Sequence, residues 1–226
     1  MEKLEFRMLK ADEIDCRVGA TTDKGCSLLM YKDARVDMRL LDEVVGAMNW
    51  KREHQLINDN LFCTVSIKDP ETGEWVSKQD VGVESNTEKE KGQASDAFKR
   101  ACFNWGIGRE LYTCPFVWIN LGENEWRNGS NGKKQPKTKF YVKEIEYKDG
   151  KVSYLVIIDE NGKERFRFGK SAAYDEALKL ALNDVKATTD IKALEALYFG
   201  YKEKFGNDAK FLDALKTRKA ELSKAA

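Results

Sequence analysis

The chain has 226 residues, with 39 Lys and Arg against 38 Asp and Glu, for a net charge of +1. It is therefore no bulk polycation, and any nucleic-acid site must come from local clustering of cations. Five cysteines without a Cys-x-x-Cys pair, one histidine (His54) and no apolar run near about 20 residues argue against a disulfide framework, a zinc site, a Ser-His-Asp triad and a membrane span. The same features, with an N-terminus lacking the basic-then-apolar order of a signal peptide, lead us to expect a cytoplasmic protein.

In chain order, a short helical turn is expected around Ala11–Val18, followed by a strand at Cys26–Tyr31. A helix from Asp33 to Met48 carries Val36, Leu40, Leu41, Val44, Val45 and Met48 on one face, with Asp33 as its cap. Three antiparallel strands follow: Trp50–Ile57, Leu61–Ile67 and, beyond the turn Asp69-Pro70-Glu71-Thr72-Gly73, Glu74–Val83. Thr87 and Glu90 have capping-box spacing for a second helix, which Gly106-Ile107-Gly108 terminates. Residues 122–139, rich in Gly, Asn and Lys, read as a loop. Phe140–Tyr147, Val152–Asp159 and Glu164–Phe168 read as a small β-meander with hairpin turns at Lys148-Asp149-Gly150 and Glu160-Asn161-Gly162. Apolar stripes at Tyr174–Val185 and Ile191–Phe205, then a helix opened by Asp208, make a C-terminal helical unit. The fold class is α+β: an antiparallel sheet with a long central helix, a meander and terminal helices.

The second helix carries the clearest chemical signal. Ala94, Ala97, Phe98, Ala101, Cys102 and Trp105 form its buried stripe, so Lys99 and Arg100 flank the opposite face and Phe103 shares it. Cations beside a ring can hold a nucleic-acid strand, the cations meeting phosphates and the ring a base. A solvated helix face is the alternative. No Gly-x-x-x-x-Gly-Lys-Ser/Thr loop occurs, and Gly106-Ile107-Gly108 follows a helix where a dinucleotide fingerprint would follow a strand. Asp80 and Glu84 bracket a strand end and are the candidates for Mg²⁺, with solvated edge charge as the competing reading. No catalytic residue, metal or cofactor is expected.

Five segments in order resemble the annealing domain of the Rad-fifty-two/twenty-two recombination proteins, including phage-encoded and bacterial relatives. They are Leu9–Arg17, Met30–Val36, Val45–Trp50, Gln79-Asp80-Val81-Gly82-Val83 and Lys91–Gly106, together spanning about residues 9–112. The resemblance implies a β-α-β-β-β-α core that binds single-stranded DNA and anneals a complementary strand without ATP in recombination and repair. It implies a homo-oligomeric ring or filament, with a single-strand-binding protein or an exonuclease as possible partners. By position, Arg35, Lys99 and Arg100 match basic residues that grip the phosphate backbone. Phe103 stands where the family often has a further arginine, and Arg109 is placed to compensate. The basic segment Arg127–Lys139, with Lys133, Lys134, Lys137 and Lys139, is a second candidate DNA contact. The expected divisions are an annealing core at 1–115, a loop-and-meander extension at 116–170 and a helical unit at 171–226. The rival readings are a structured-RNA-binding module of αβββα type, a Mg²⁺-dependent nuclease using Asp80 and Glu84, and a structural phage protein.

Overall fold

The computed structural model describes residues 4–84, 89–129 and 134–225. It divides into two compact units, Met1–Gly169 and Lys170–Ala226. The expected boundary after residue 115 falls within the first of them.

In the first unit a 3-10 turn, Ala11–Glu13, leads into β1 (Asp15–Thr22) and β2 (Gly25–Tyr31). The helical turn expected through Val18 is thus confined to its first three residues. Asp15 onward pairs antiparallel with β2, from Asp15↔Tyr31 to Thr22↔Gly25, and this ladder overrides the weak local helical pattern. Helix α1 (Ala34–Val45) starts where Asp33 accepts a hydrogen bond from the Arg35 amide, and it stops at Gly46. It is therefore shorter than expected, and Met48 is left 88% exposed in the following turn. The strands β3 (Trp50–Ile57), β4 (Asn60–Lys68) and β5 (Trp75–Val81) form an antiparallel sheet in that order. Helix α2 (Lys89–Trp105) lies against β4 and β5 and buries Ala97, Phe98, Ala101 and Cys102 completely. Gly82 permits this approach: a Cβ there would come within 2.2 Å of the Gln93 carbonyl oxygen. Thr87, the expected cap of α2, lies outside the described residues.

A 3-10 turn at Arg109–Thr113 precedes β6 (Val117–Asn120), a strand with no clear signal in the sequence. The segment expected as a loop holds a two-stranded ribbon, β7 (Trp126–Asn128) with β8 (Lys134–Pro136), paired as Arg127↔Gln135. The meander strands β9 (Phe140–Lys148), β10 (Lys151–Asp159) and β11 (Glu164–Gly169) form no separate layer. They complete a six-stranded sheet of order β11-β10-β9-β1-β2-β6. Arg165 ties its two edges together, donating to the Asn120 carbonyl at 2.9 Å and pairing with Glu125 at 2.6 Å and Asp159 at 3.1 Å. One apolar core joins both sheets, with Leu40, Phe98, Ile119 and Leu155 all fully buried.

The second unit is three helices, α3 (Ala172–Ala187), α4 (Ile191–Phe205) and α5 (Ala209–Ala225), around Leu178, Ala181, Val185, Leu194, Phe205 and Phe211. Ser171 and Asp190 cap α3 and α4. Asp208 accepts from the amides of Lys210 and Phe211 at the start of α5 and from the Tyr174 hydroxyl, and it pairs with Lys170.

Candidate nucleic-acid interface

Adjacent helical residues point about 100° apart, and α2 uses that angle to separate its basic pair. Arg100 turns toward β5, where its Nε donates to Asp80 Oδ1 at 3.2 Å. Asn104, one turn on, donates to Asp80 Oδ2 at 3.4 Å and to the Gln79 carbonyl at 3.1 Å. Arg100 thus helps hold the helix to the sheet, although its side chain remains 40% exposed. Asp80, the candidate metal ligand, is occupied by these donors, and Glu84 pairs with Lys89 at 3.5 Å. Among the described residues no group of three or more His, Cys, Asp or Glu side chains could hold a metal ion. His54 lies in β3 opposite Cys63, and its Nε2 sits 3.1 Å from the Ala94 carbonyl oxygen.

Lys99 turns the other way, into a cavity of about 200 Å³ between the end of β2, α2 and the 109–113 turn. It has no salt-bridge partner among the described residues. Asp96 and Phe103, on the same flank of α2, share the cavity wall with Tyr31 and Tyr112. Phe103 is half-buried, and its side is covered from within the chain. Its ring meets Tyr112 edge-on at 5.2 Å, and Lys32 Nζ sits 4.4 Å above it. The expectation that Phe103 stands exposed is therefore corrected: Tyr112, 72% exposed, is the ring that reaches solvent.

Lys32, missed in the sequence, is the buried cation beneath this wall. It pairs with Asp37 on α1, and both side chains are at most 1% exposed. Gly108 closes over it with φ of 76°, where a Cβ would come within 2.4 Å of Lys32 Cε. Burial pushes the Asp37 carboxyl up to about 6 even though Lys32 opposes the shift. Asp37 Oδ2 has no hydrogen-bond partner. Burial and the neighbouring Asp37 together push the Cys102 thiol far above its ordinary range, which makes it inert.

The other candidates lie in different settings. Arg35 is exposed at the start of α1 and borders a second cavity, of about 270 Å³, lined also by Asp12, Glu13, Asp15, Asp33 and Arg39. The two cavities adjoin along the chain at Tyr31–Asp33, but the acids around Arg35 offset its charge. Arg109 caps the C-terminus of α2, donating to the Phe103 carbonyl at 2.5 Å and the Asn104 carbonyl at 2.7 Å. Lys78 donates to the same Asn104 carbonyl at 2.8 Å. Lys134 lies on β8 and pairs with Asp23 at 3.5 Å, while Lys137 and Lys139 are exposed beyond it. Lys133 lies outside the described residues. No helix among the described residues is long and apolar enough to cross a membrane.

An α+β unit with a long helix on an antiparallel sheet, and a cation and aromatic rings around one cavity, has the makings of a strand-binding module. Residues 1–124 match the model of the Rad52/22 family of double-strand break repair proteins, and the chain belongs to that family. It is also similar to the single-stranded DNA-binding protein DdrA of Deinococcus radiodurans, with 32% identity over 109 residues, 47% of this chain and 49% of that protein. The chain thus aligns with about half the length of this curated relative. No solved structure matches.

Proposed function

We propose that this chain binds single-stranded DNA through the Lys99 flank of α2 and anneals complementary strands without ATP in recombination and repair. The observation that carries this reading is Lys99 itself, a cation without a salt-bridge partner among the described residues, at an aromatic-walled cavity. It lies inside the region matched to the family model. The name of the Deinococcus relative supports single-stranded DNA as the ligand. The β-α-β-β-β-α series from β2 to α2 is the core of this reading. Arg35, Arg100 and Arg109 supplement Lys99 along the backbone path. Lys133, Lys134, Lys137 and Lys139 steer the second strand, and Phe103 supports the wall behind Lys99. The chain acts in the cytoplasm as a homo-oligomer, whose head-to-tail contacts align the basic flanks of successive subunits. A single-strand-binding protein or an exonuclease is its partner class.

Phosphate contacts need no base readout, so the activity is independent of sequence. The test is annealing of complementary oligonucleotides in EDTA without nucleotide, together with a salt titration of single-strand affinity. Wild type anneals under these conditions and loses affinity steeply with salt. Lys99→Ala reduces the log–log slope by about 0.7, the value of one phosphate on a single strand. An absolute need for ATP or Mg²⁺, a slope unchanged in folded Lys99→Ala, or preference for duplex RNA over single-stranded DNA overturns the proposal.

A further inference from the structure

We infer that the cavity beside Lys99 is a nucleobase pocket, with Tyr112 as its stacking platform and Tyr31 as its second lip. This rests on the single-stranded DNA reading above and specifies what one part of the strand does there. The cavity measures about 200 Å³. That is below the range of about 300–1,000 Å³ typical of pockets enclosing drug-sized ligands, so it fits a single planar ring system. Two tyrosines border it with their rings in reach of solvent, Tyr112 at 72% and Tyr31 at 41% exposure. Tyr112 is held in place from behind, its ring packed against Phe103, which in turn lies under Lys32 Nζ. A ring that is braced on one side and open on the other pays little ordering cost when a base stacks on it.

Charge favours a base over a phosphate inside the cavity. Lys32 is neutralised by Asp37. Asp96 places a carboxylate on the same wall as Lys99. A phosphate drawn inside would meet that carboxylate. A neutral heterocycle meets aromatic faces, and its own phosphate can remain at Lys99. The pocket therefore holds one base of the strand per subunit, withdrawn from its stacked neighbours, while Lys99 holds the adjoining backbone. Stacking on an aromatic face tolerates every base, so this anchor adds affinity without sequence preference.

The experiment uses the full chain and two oligonucleotides of equal length and charge, one carrying bases and one fully abasic, with 2-aminopurine in the former as a stacking reporter. Wild type binds the base-bearing strand more tightly than the abasic one and changes the 2-aminopurine emission. Tyr112→Ala weakens binding to the base-bearing strand by about 5- to 150-fold, the range expected for one lost aromatic–base stack. It leaves abasic-strand affinity and the salt slope unchanged. Tyr112→Phe, which keeps the ring, restores the preference. Equal weakening toward both strands by Tyr112→Ala marks a merely structural role and overturns the inference. Tyr31→Ala, at the other lip, gives an independent reading if Tyr112→Ala does not fold. If both alanine variants keep wild-type affinity and emission while Lys99→Ala weakens binding, the pocket is refuted and the single-strand reading stands. If wild type binds neither strand, both fall.

Discussion

Lys32→Met tests the buried pair beneath the cavity most directly, because methionine nearly fills the lysine volume and removes only the charge. In the wild type Asp37 is fully buried and already lacks a partner at Oδ2. Its carboxyl lies at about 6 against an ordinary 3.8. At about 1.4 kcal/mol per pH unit this displacement corresponds to about 3 kcal/mol. The folded state holds the Asp37 proton more tightly than the unfolded state does. The group's contribution is therefore most favourable below pH 3.8 and is lost as pH rises through about 6. Without Lys32 the carboxylate keeps only the weaker attraction of Lys99, its pKa climbs further, and the loss extends to higher pH. Breaking a buried pair by removing one partner typically costs about 3–5 kcal/mol.

The assay is urea unfolding followed by tryptophan fluorescence. All five tryptophans, at 50, 75, 105, 118 and 126, lie in the first unit, so the helical unit is silent. At pH 7.5 a loss of about 3 kcal/mol lowers the midpoint by about 1–3 M urea. At pH 5 Lys32→Met loses less, because protonation of Asp37 relieves the bare charge. Lys32→Met/Asp37→Leu recovers most of the deficit, since an apolar replacement of a buried ion pair is often neutral or stabilising. A Lys32→Met variant within about 1 kcal/mol of wild type at pH 7.5, or equally destabilised at both pH values, refutes this account.

Arg35→Ala weakens single-strand binding less than Lys99→Ala in the same salt titration, because the acids around Arg35 already offset its charge; equal effects would contradict this. Asp80→Asn removes the carboxylate that engages Arg100 and raises single-strand affinity at low salt, measured by fluorescence anisotropy. Glu13, held at about 2 by the Arg7 guanidinium, contributes stability above pH 4.5 that is lost as pH falls toward 2. Glu13→Gln therefore flattens that part of the acid-unfolding curve. Changing Lys133, Lys134, Lys137 and Lys139 to Gln slows annealing with little change in first-strand affinity; collapse of first-strand binding would place them in the primary site. Removing residues 170–226 leaves single-strand binding and changes the oligomer size read by light scattering.

Strong periodicity and capping made parts of this fold legible. Asp33 marks the start of α1, and the alternating pattern of residues 61–67 falls within β4 between its two partners. The elements that escaped are those whose own pattern is weak and whose pairing decides them. Asp15–Thr22 becomes a strand because β2 offers it a ladder, and β6 is only four residues long and held at the far edge of that sheet. The meander joins the N-terminal hairpin at the antiparallel pair Asp15↔Tyr141, for which no local pattern exists. Buried Lys32 was equally hidden. A lysine in sequence reads as solvent-facing, and only the folded chain brings Asp37, Phe103 and Gly108 around it.

The same limit explains the candidate site. A helical wheel assigns Lys99 and Arg100 to one outward arc, but it does not say what covers each side of that arc. Here β5 supplies Asp80 to one side, and the end of β2 with the 109–113 turn leaves a cavity on the other. Phe103 belongs to the cavity side and Asn104 to the sheet side, so each cation has its own neighbour one turn away. A combined Lys99/Arg100 alanine variant therefore mixes two effects. It removes a candidate phosphate contact and at the same time leaves Asp80 without its cation at the helix–sheet contact. Only the single substitutions separate them. Lys99→Ala should act on the salt slope with little change in the urea midpoint, since Lys99 attracts buried Asp37 only weakly. Arg100→Ala should lower the midpoint through the modest stability loss of a part-exposed pair, up to about 1 kcal/mol. An Arg100→Ala variant with the larger loss of slope and no loss of stability would reverse the assignment of the two flanks.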